Sequence, residues 1–142
     1  PDYDCSGLIQ RHLIKPEGQD YLFSHAMVQE AVYQTLLKSR RLELHRIASE
    51  WYAKREPKLR AIHLERAEDK GATKAYLDAA KAELKELHYQ SSLKLVKRGL
   101  QLAQQAAEKF ELTRLQGDVL RNLGEVSASI STCQEAVRIA HT

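Results

Sequence analysis

Residues that mark a special chemistry are scarce in this sequence. There are only two cysteines, Cys5 and Cys133, near opposite ends of 142 residues. Neither sits in a C-x-x-C pair, so neither a disulfide framework nor a zinc site is indicated, and thiols suit a reducing cytosol. No apolar run approaches the roughly 18 residues of a membrane span, and no signal peptide opens the chain. The six histidines form no H-E-x-x-H, and there is no acidic calcium loop, so no metal is expected. There is no G-x-S-x-G, no G-x-x-x-x-G-K-[ST] and no G-x-G-x-x-G. The expectation is a cytoplasmic, non-enzymatic chain that holds no cofactor itself.

Charge of one sign is also lacking. Twenty-two Lys and Arg stand against nineteen Asp and Glu, a net charge of +3, which does not argue for nucleic acid. The densest basic run, Lys38, Arg40, Arg41 and Arg46 with His45, reads as a phosphate clamp or as a solvated helix face. Glu43 interrupts it, which favours the face. The chain opens on Pro1-Asp2-Tyr3 without a Met and closes on Ala140-His141-Thr142 straight after a periodic apolar segment. It is therefore expected to be a fragment of a longer protein.

Helical periodicity is what the sequence does have, and 43 % of the residues are hydrophobic, enough for a core. Residues 1–24 stand apart: Leu13-Ile14-Lys15 and Tyr21-Leu22-Phe23 are β-prone runs flanking Pro16-Glu17-Gly18-Gln19-Asp20, a turn by composition. From His25 onward, Met27, Val28, Ala31, Val32 and Leu36 mark one helical face. A second helix follows Ser39 as N-cap, with Leu44, Ile47, Ala48 and Trp51 on its stripe, and Pro57 ends that segment. Further helices are predicted over 58–68, 72–87, 90–109, 111–122 and 125–140. The last presents Val126, Ile130, Cys133 and Val137.

The latter half repeats. Ala80, Ser92, Val96 and Gly99 match Gly117, Ser129, Cys133 and Ala136 at a constant offset of 37, with internal spacings of 12, 4 and 3. These small residues at these intervals resemble the tetratricopeptide pattern, whose period is about 34. The surplus of about three residues is one turn of helix, placed in 104–110. The expected fold is thus mainly α: a short N-terminal β-hairpin, then about seven helices, the last four as tetratricopeptide-like hairpins. An ordinary antiparallel bundle is the alternative. In repeats of this kind the first helix of each pair lines a concave surface, here Tyr76, Glu83, Thr113 and Leu120.

The segment Phe23-Ser24-His25-Ala26-Met27-Val28-Gln29-Glu30-Ala31-Val32-Tyr33, continuing to Arg40-Arg41-Leu42-Glu43-Leu44-His45, resembles the region after the nucleotide-binding core of STAND-type signalling ATPases. There a wing hairpin leads into F-x-H, a helix, an Arg-rich helix start ending in L-H, and a helical repeat array. The resemblance implies residues 1–56 as the end of a winged-helix unit and 57–142 as the repeat region. It implies that His25 senses ADP or ATP bound to the core of the parent protein. Read locally, His25 is a helix-start residue. The expected role is regulatory protein–protein interaction in signal transduction, sensing a partner or effector. Two other readings remain: a DNA-binding winged-helix module, and a structural scaffold or homodimerising region.

Overall fold

The computed structural model describes residues 4–141. The chain divides into two compact units, residues 1–41 and 42–142. The division falls at Arg41/Leu42, inside a helix.

In the first unit, α1 (Ser6–Gln10) leads into β1 (Ile14–Glu17) and β2 (Asp20–Phe23), which pair antiparallel with Ile14 opposite Phe23 and Glu17 opposite Asp20. The strands run further into the predicted turn than composition suggested, so Pro16 lies within β1. A two-stranded ribbon has an open edge on each strand, where a missing N–H is tolerated. The connection is only Gly18 and Gln19, with Gly18 at φ +62°, the positive value a tight hairpin needs at its first central residue. α2 (Ala26–Thr35) follows. It buries no residue, and Ile14 is the one buried hydrophobic of the described part of this unit.

α3 (Lys38–Tyr52) begins at the unit boundary and runs into the second unit, followed by α4 (Pro57–Arg66), α5 (Ala72–Lys85), α6 (Tyr89–Leu102), α7 (Ala106–Asn122) and α8 (Val126–Ala140). Seven helices thus follow the hairpin among the described residues, a general helical-repeat architecture. Pro57 occupies the first turn of α4, where its missing N–H costs no hydrogen bond, so it starts a helix as well as following one. Ser39 is inside the first turn of α3 and not its N-cap.

The core is a single cluster. Ala61, Ala75, Ala79 and Ala80 bring α4, α5 and α6 close, while Leu93, Leu95, Val96, Leu112, Leu115, Val119 and Leu120 fill the space between α5, α6 and α7. The break expected between helices over 90–109 and 111–122 lies earlier, at residues 103–105. α6 stops at Leu102 and α7 starts at Ala106, because the Glu108 carboxylate accepts the backbone N–H groups of Gln104 (3.3 Å) and Gln105 (3.4 Å) and so caps the new helix.

Three of the connections between helices share one backbone device. After α4, α5 and α7 a single residue turns left-handed, respectively Glu68 (φ +53°), Leu87 (+63°) and Gly124 (+80°). In each case the next N–H reaches back to a carbonyl five residues earlier: Asp69 to Leu64, His88 to Glu83, and Glu125 to Leu120, all 2.9–3.0 Å. Such a bond satisfies carbonyls that the helix end would otherwise leave unpaired. No described helix is long and apolar enough to cross a membrane.

Candidate functional site

The equivalence of the two hairpins α5–α6 and α7–α8 can be followed atom by atom. Ser92 Oγ donates to the Ala80 carbonyl at 2.8 Å, and Ser129 Oγ donates to the Gly117 carbonyl at 2.8 Å. Around the two turns, Leu87→Leu84, His88→Glu83, Tyr89→Leu87 and Ser92→His88 recur as Gly124→Arg121, Glu125→Leu120, Val126→Gly124 and Ser129→Glu125. Every one of these bonds repeats at the offset of 37. The extra turn is carried by α7, which has 17 residues against 14 in α5.

Two close approaches set how tightly helices pack. A Cβ added to Gly99 would stand 2.9 Å from Leu112 Cδ2 and 3.3 Å from Tyr76 Cβ. One added to Gly117 would stand 2.6 Å from Cys133 Sγ. Of the other small positions, Ala80, Ser92, Val96, Ser129 and Ala136 are buried, whereas Cys133 is exposed.

The residues expected on the concave surface are placed differently. Tyr76, Thr113 and Leu120 are buried, at 4 %, 6 % and 6 % exposure, so they are core residues and not a contact surface. Tyr76 is held there because its hydroxyl donates to Glu65 Oε2 at 2.5 Å, which gives a buried phenol its partner. Glu83 is half-buried, with its carboxylate 3.3 Å from His88 Nδ1 at the α5–α6 turn. A depression of about 250 Å3 between the first helices is lined by Thr73, Lys74 and Leu77 of α5 and by Ala107, Glu111 and Leu112 of α7; Thr73 and Leu112 are buried, whereas Lys74 and Ala107 are exposed. Its floor is apolar. Its rims carry Lys74 on one side and Glu108 and Glu111 on the other, and Lys81 reaches Glu111 at 3.9 Å.

Beside it lies a cleft of about 410 Å3 where α4 ends and α5 and α7 begin, with Glu65, Glu68, Asp69 and Glu108 around Lys70. Glu65 also receives Arg98 of α6 on its other oxygen, so one carboxylate ties α4, α5 and α6 together. The Arg98 hydrogen bond holds the Glu65 carboxyl below the ordinary carboxylate range, helped by Tyr76 and against partial burial. Burial pushes the Tyr76 phenol up to about 12, with the Glu65 carboxylate adding to the effect. No cluster among the described residues could hold a metal ion.

Comparison with protein families, with curated proteins and with solved structures yields no match. The geometry of the site alone then carries its functional reading.

His25, in the first unit, is the exposed N-cap of α2 in extended conformation (φ −136°, ψ 130°). Its carbonyl accepts the N–H groups of Val28 and Gln29, while its ring makes no capping bond. Sequence reasoning does not reach the Glu65–Tyr76–Arg98 network, whose members lie on three helices with no local spacing to flag them. Nor does it reach His45 and His63, whose Nδ1 atoms lie 2.9 Å apart with Tyr52 stacked on His63 at 5.5 Å between ring centroids.

Proposed function

We propose that this chain is a non-catalytic regulatory region of a larger STAND-type signalling ATPase in the cytoplasm, where its helical hairpins capture a protein partner or effector. What supports the reading is the in-register repetition of one hairpin, turn bonds and serine bond included, next to an open groove between the two first helices. Stacked hairpins of this type expose a continuous surface that a partner can follow. An apolar floor between a lysine rim and a glutamate rim suits a partner side chain that is aliphatic or aromatic with polar neighbours. In the parent protein, His25 would contact the phosphates of ADP or ATP held on the nucleotide-binding core. The chain itself then binds neither.

The test is partner capture by the chain and by Lys74→Glu, which reverses an exposed rim charge, with Arg121→Glu as a charge-matched control away from the groove. Capture is expected to weaken for Lys74→Glu alone. Equal capture by all three, or ATP turnover by the chain alone, defeats the proposal.

A further inference from the structure

The contact between α3 and α4 is built on rings that can take up protons. Among the described residues, none of α3 belongs to the hydrophobic core cluster or packs against it, and Leu44, Ile47 and Trp51 stay exposed. The residues α3 does bury are His45 and Ser49. Ser49 turns back to the Arg46 carbonyl of its own helix, whereas His45 reaches across to His63 of α4. The two Nδ1 atoms lie 2.9 Å apart, and the Tyr52 ring of α3 lies stacked on His63, 9° from parallel.

Two Nδ1 atoms facing each other at this distance share one proton, with one ring donating and the other accepting. A first added proton leaves the bond in place, because an imidazolium still donates to a neutral imidazole. A second sets N–H against N–H and positive charge against positive charge, and the bond is lost. Burial keeps protons off both rings; a charged His63 and then Arg66 of α4 add to this at His45, and Arg66 adds to it at His63. The nearby carboxylate of α4 is directed elsewhere. At 100° per residue Glu65 lies about 160° round the helix from His63, and it is engaged by Tyr76 of α5 and Arg98 of α6.

We propose that the His45–His63 pair is an acid-released latch: it fastens α3 to α4 while the two rings share a proton, and the second added proton frees α3 while α5 to α7 stay folded. Its basis is these ring contacts, and neither the ATPase reading nor the α5–α7 groove enters. Release stops at α3 because α4 keeps Ala61 in the core and Glu65 on Tyr76 without it. Once free, both imidazoles return to the ordinary histidine value of about 6.5. Below that pH the open form binds more protons than the closed one, so opening grows by up to about tenfold per pH unit for each proton taken up. Above it the latch stays shut.

Amide hydrogen exchange followed by mass spectrometry, with each segment normalised to its intrinsic rate at each pH, reads α3 and α5–α7 separately. Between about pH 7.5 and pH 5.5 the protection of residues 42–52 is expected to drop by about tenfold or more, with α5–α7 the better protected at the lower pH. His63→Gln keeps a hydrogen-bonding partner that takes up no proton, and is expected to remove most of the drop. Arg66→Gln, at an exposed position, takes away a charge that opposes protonation of the closed pair and is expected to move the drop to lower pH. Three results overturn the proposal: no drop in the unaltered chain, a drop of the same size and midpoint in both variants, or α3 and α5–α7 equally protected at both pH values. The last would leave the pair a contributor to overall stability alone.

Discussion

Gly117 and Cys133 offer the most direct test of how the second hairpin packs. A Cβ at 117 would lie 2.6 Å from Cys133 Sγ, where ordinary contact begins at 3.4 Å, a deficit of roughly 0.8 Å. Cys133 has a single side-chain torsion, and one of its three rotamers is closed to a helical residue, so escape is limited. Overpacking of this kind costs about 1–3 kcal/mol. Against it, replacing glycine by alanine within a helix returns about 1 kcal/mol. Gly117→Ala is therefore expected to destabilise by about 1 kcal/mol.

In a Cys133→Ala background the obstruction is gone, and the next nearest atoms, Ser129 O at 3.7 Å and Cys133 N at 3.8 Å, are ordinary contacts. The same substitution should then stabilise by about 1 kcal/mol, a change of sign and a coupling of about 2 kcal/mol across the pair. Urea unfolding followed by circular dichroism measures all four corners of the cycle. Gly99→Ala is the control: Leu112 Cδ2 and Tyr76 Cβ confront it, neither is touched by Cys133→Ala, and its cost should be the same in both backgrounds. Gly117→Ala effects of equal sign and size with and without the thiol would refute the packing argument.

Tyr76→Phe removes a hydroxyl bonded to the Glu65 carboxylate and should cost about 1.5 kcal/mol in urea unfolding, with no loss of helix content. Leu87, 68 % exposed, holds φ +63° where its counterpart Gly124 is unstrained, so Leu87→Gly should raise stability by about 0.5–1 kcal/mol and Gly124→Leu should lower it. Burial lowers the pKa of both His45 and His63, with His63 and Arg66 adding for His45 and Arg66 for His63. The unfolded chain then takes up protons that the folded pair refuses, so stability present above the ordinary histidine value of about 6.5 should fall as pH drops through it. Urea midpoints between about pH 7.5 and pH 5.5 should show this loss, and a His45→Gln variant with an undiminished loss would exclude the pair as its source.

Elements with a strong local signal are legible in the sequence. The hairpin, the helices over 72–85 and 126–140, and the small residues at 80, 92, 117 and 129 follow from turn chemistry, the helical period and the 37-residue offset. What sequence does not supply depends on partners distant along the chain. Tyr76 looks like a surface aromatic until Glu65 provides its acceptor. The α6–α7 break is written in Gln105 and Glu108, and glutamine is not among the favoured N-cap residues. Leu87 gives no turn signal, although it takes the backbone conformation that Gly124 announces openly. On α3 the helical period predicts an inward apolar stripe. Leu44, Ile47 and Trp51 are instead 37 %, 54 % and 60 % exposed, and the buried positions are His45 and Ser49. Each of these has its polar atom satisfied, His45 by His63 and Ser49 by the Arg46 carbonyl, so polarity does not keep them outside.

The stripe on α8 departs from expectation in the same direction, and its departure has a physical cause. In a linear series of packed helices an inner helix is covered on two sides, while a helix at the end is covered on one. α8 is the last described helix of the second unit, and it carries an exposed apolar stripe. The helices before it, α5 to α7, hold most of the core. The α8 stripe does not lack helical periodicity; it lacks the second neighbour that α6 has. A closed bundle would have turned the α8 stripe inward, since Val126, Ile130 and Val137 are as apolar as Leu93 and Val96. That they remain open while Ser129 and Ala136, on the adjoining side of the same helix, are buried against α7 is what distinguishes an open repeat from a closed bundle in this chain.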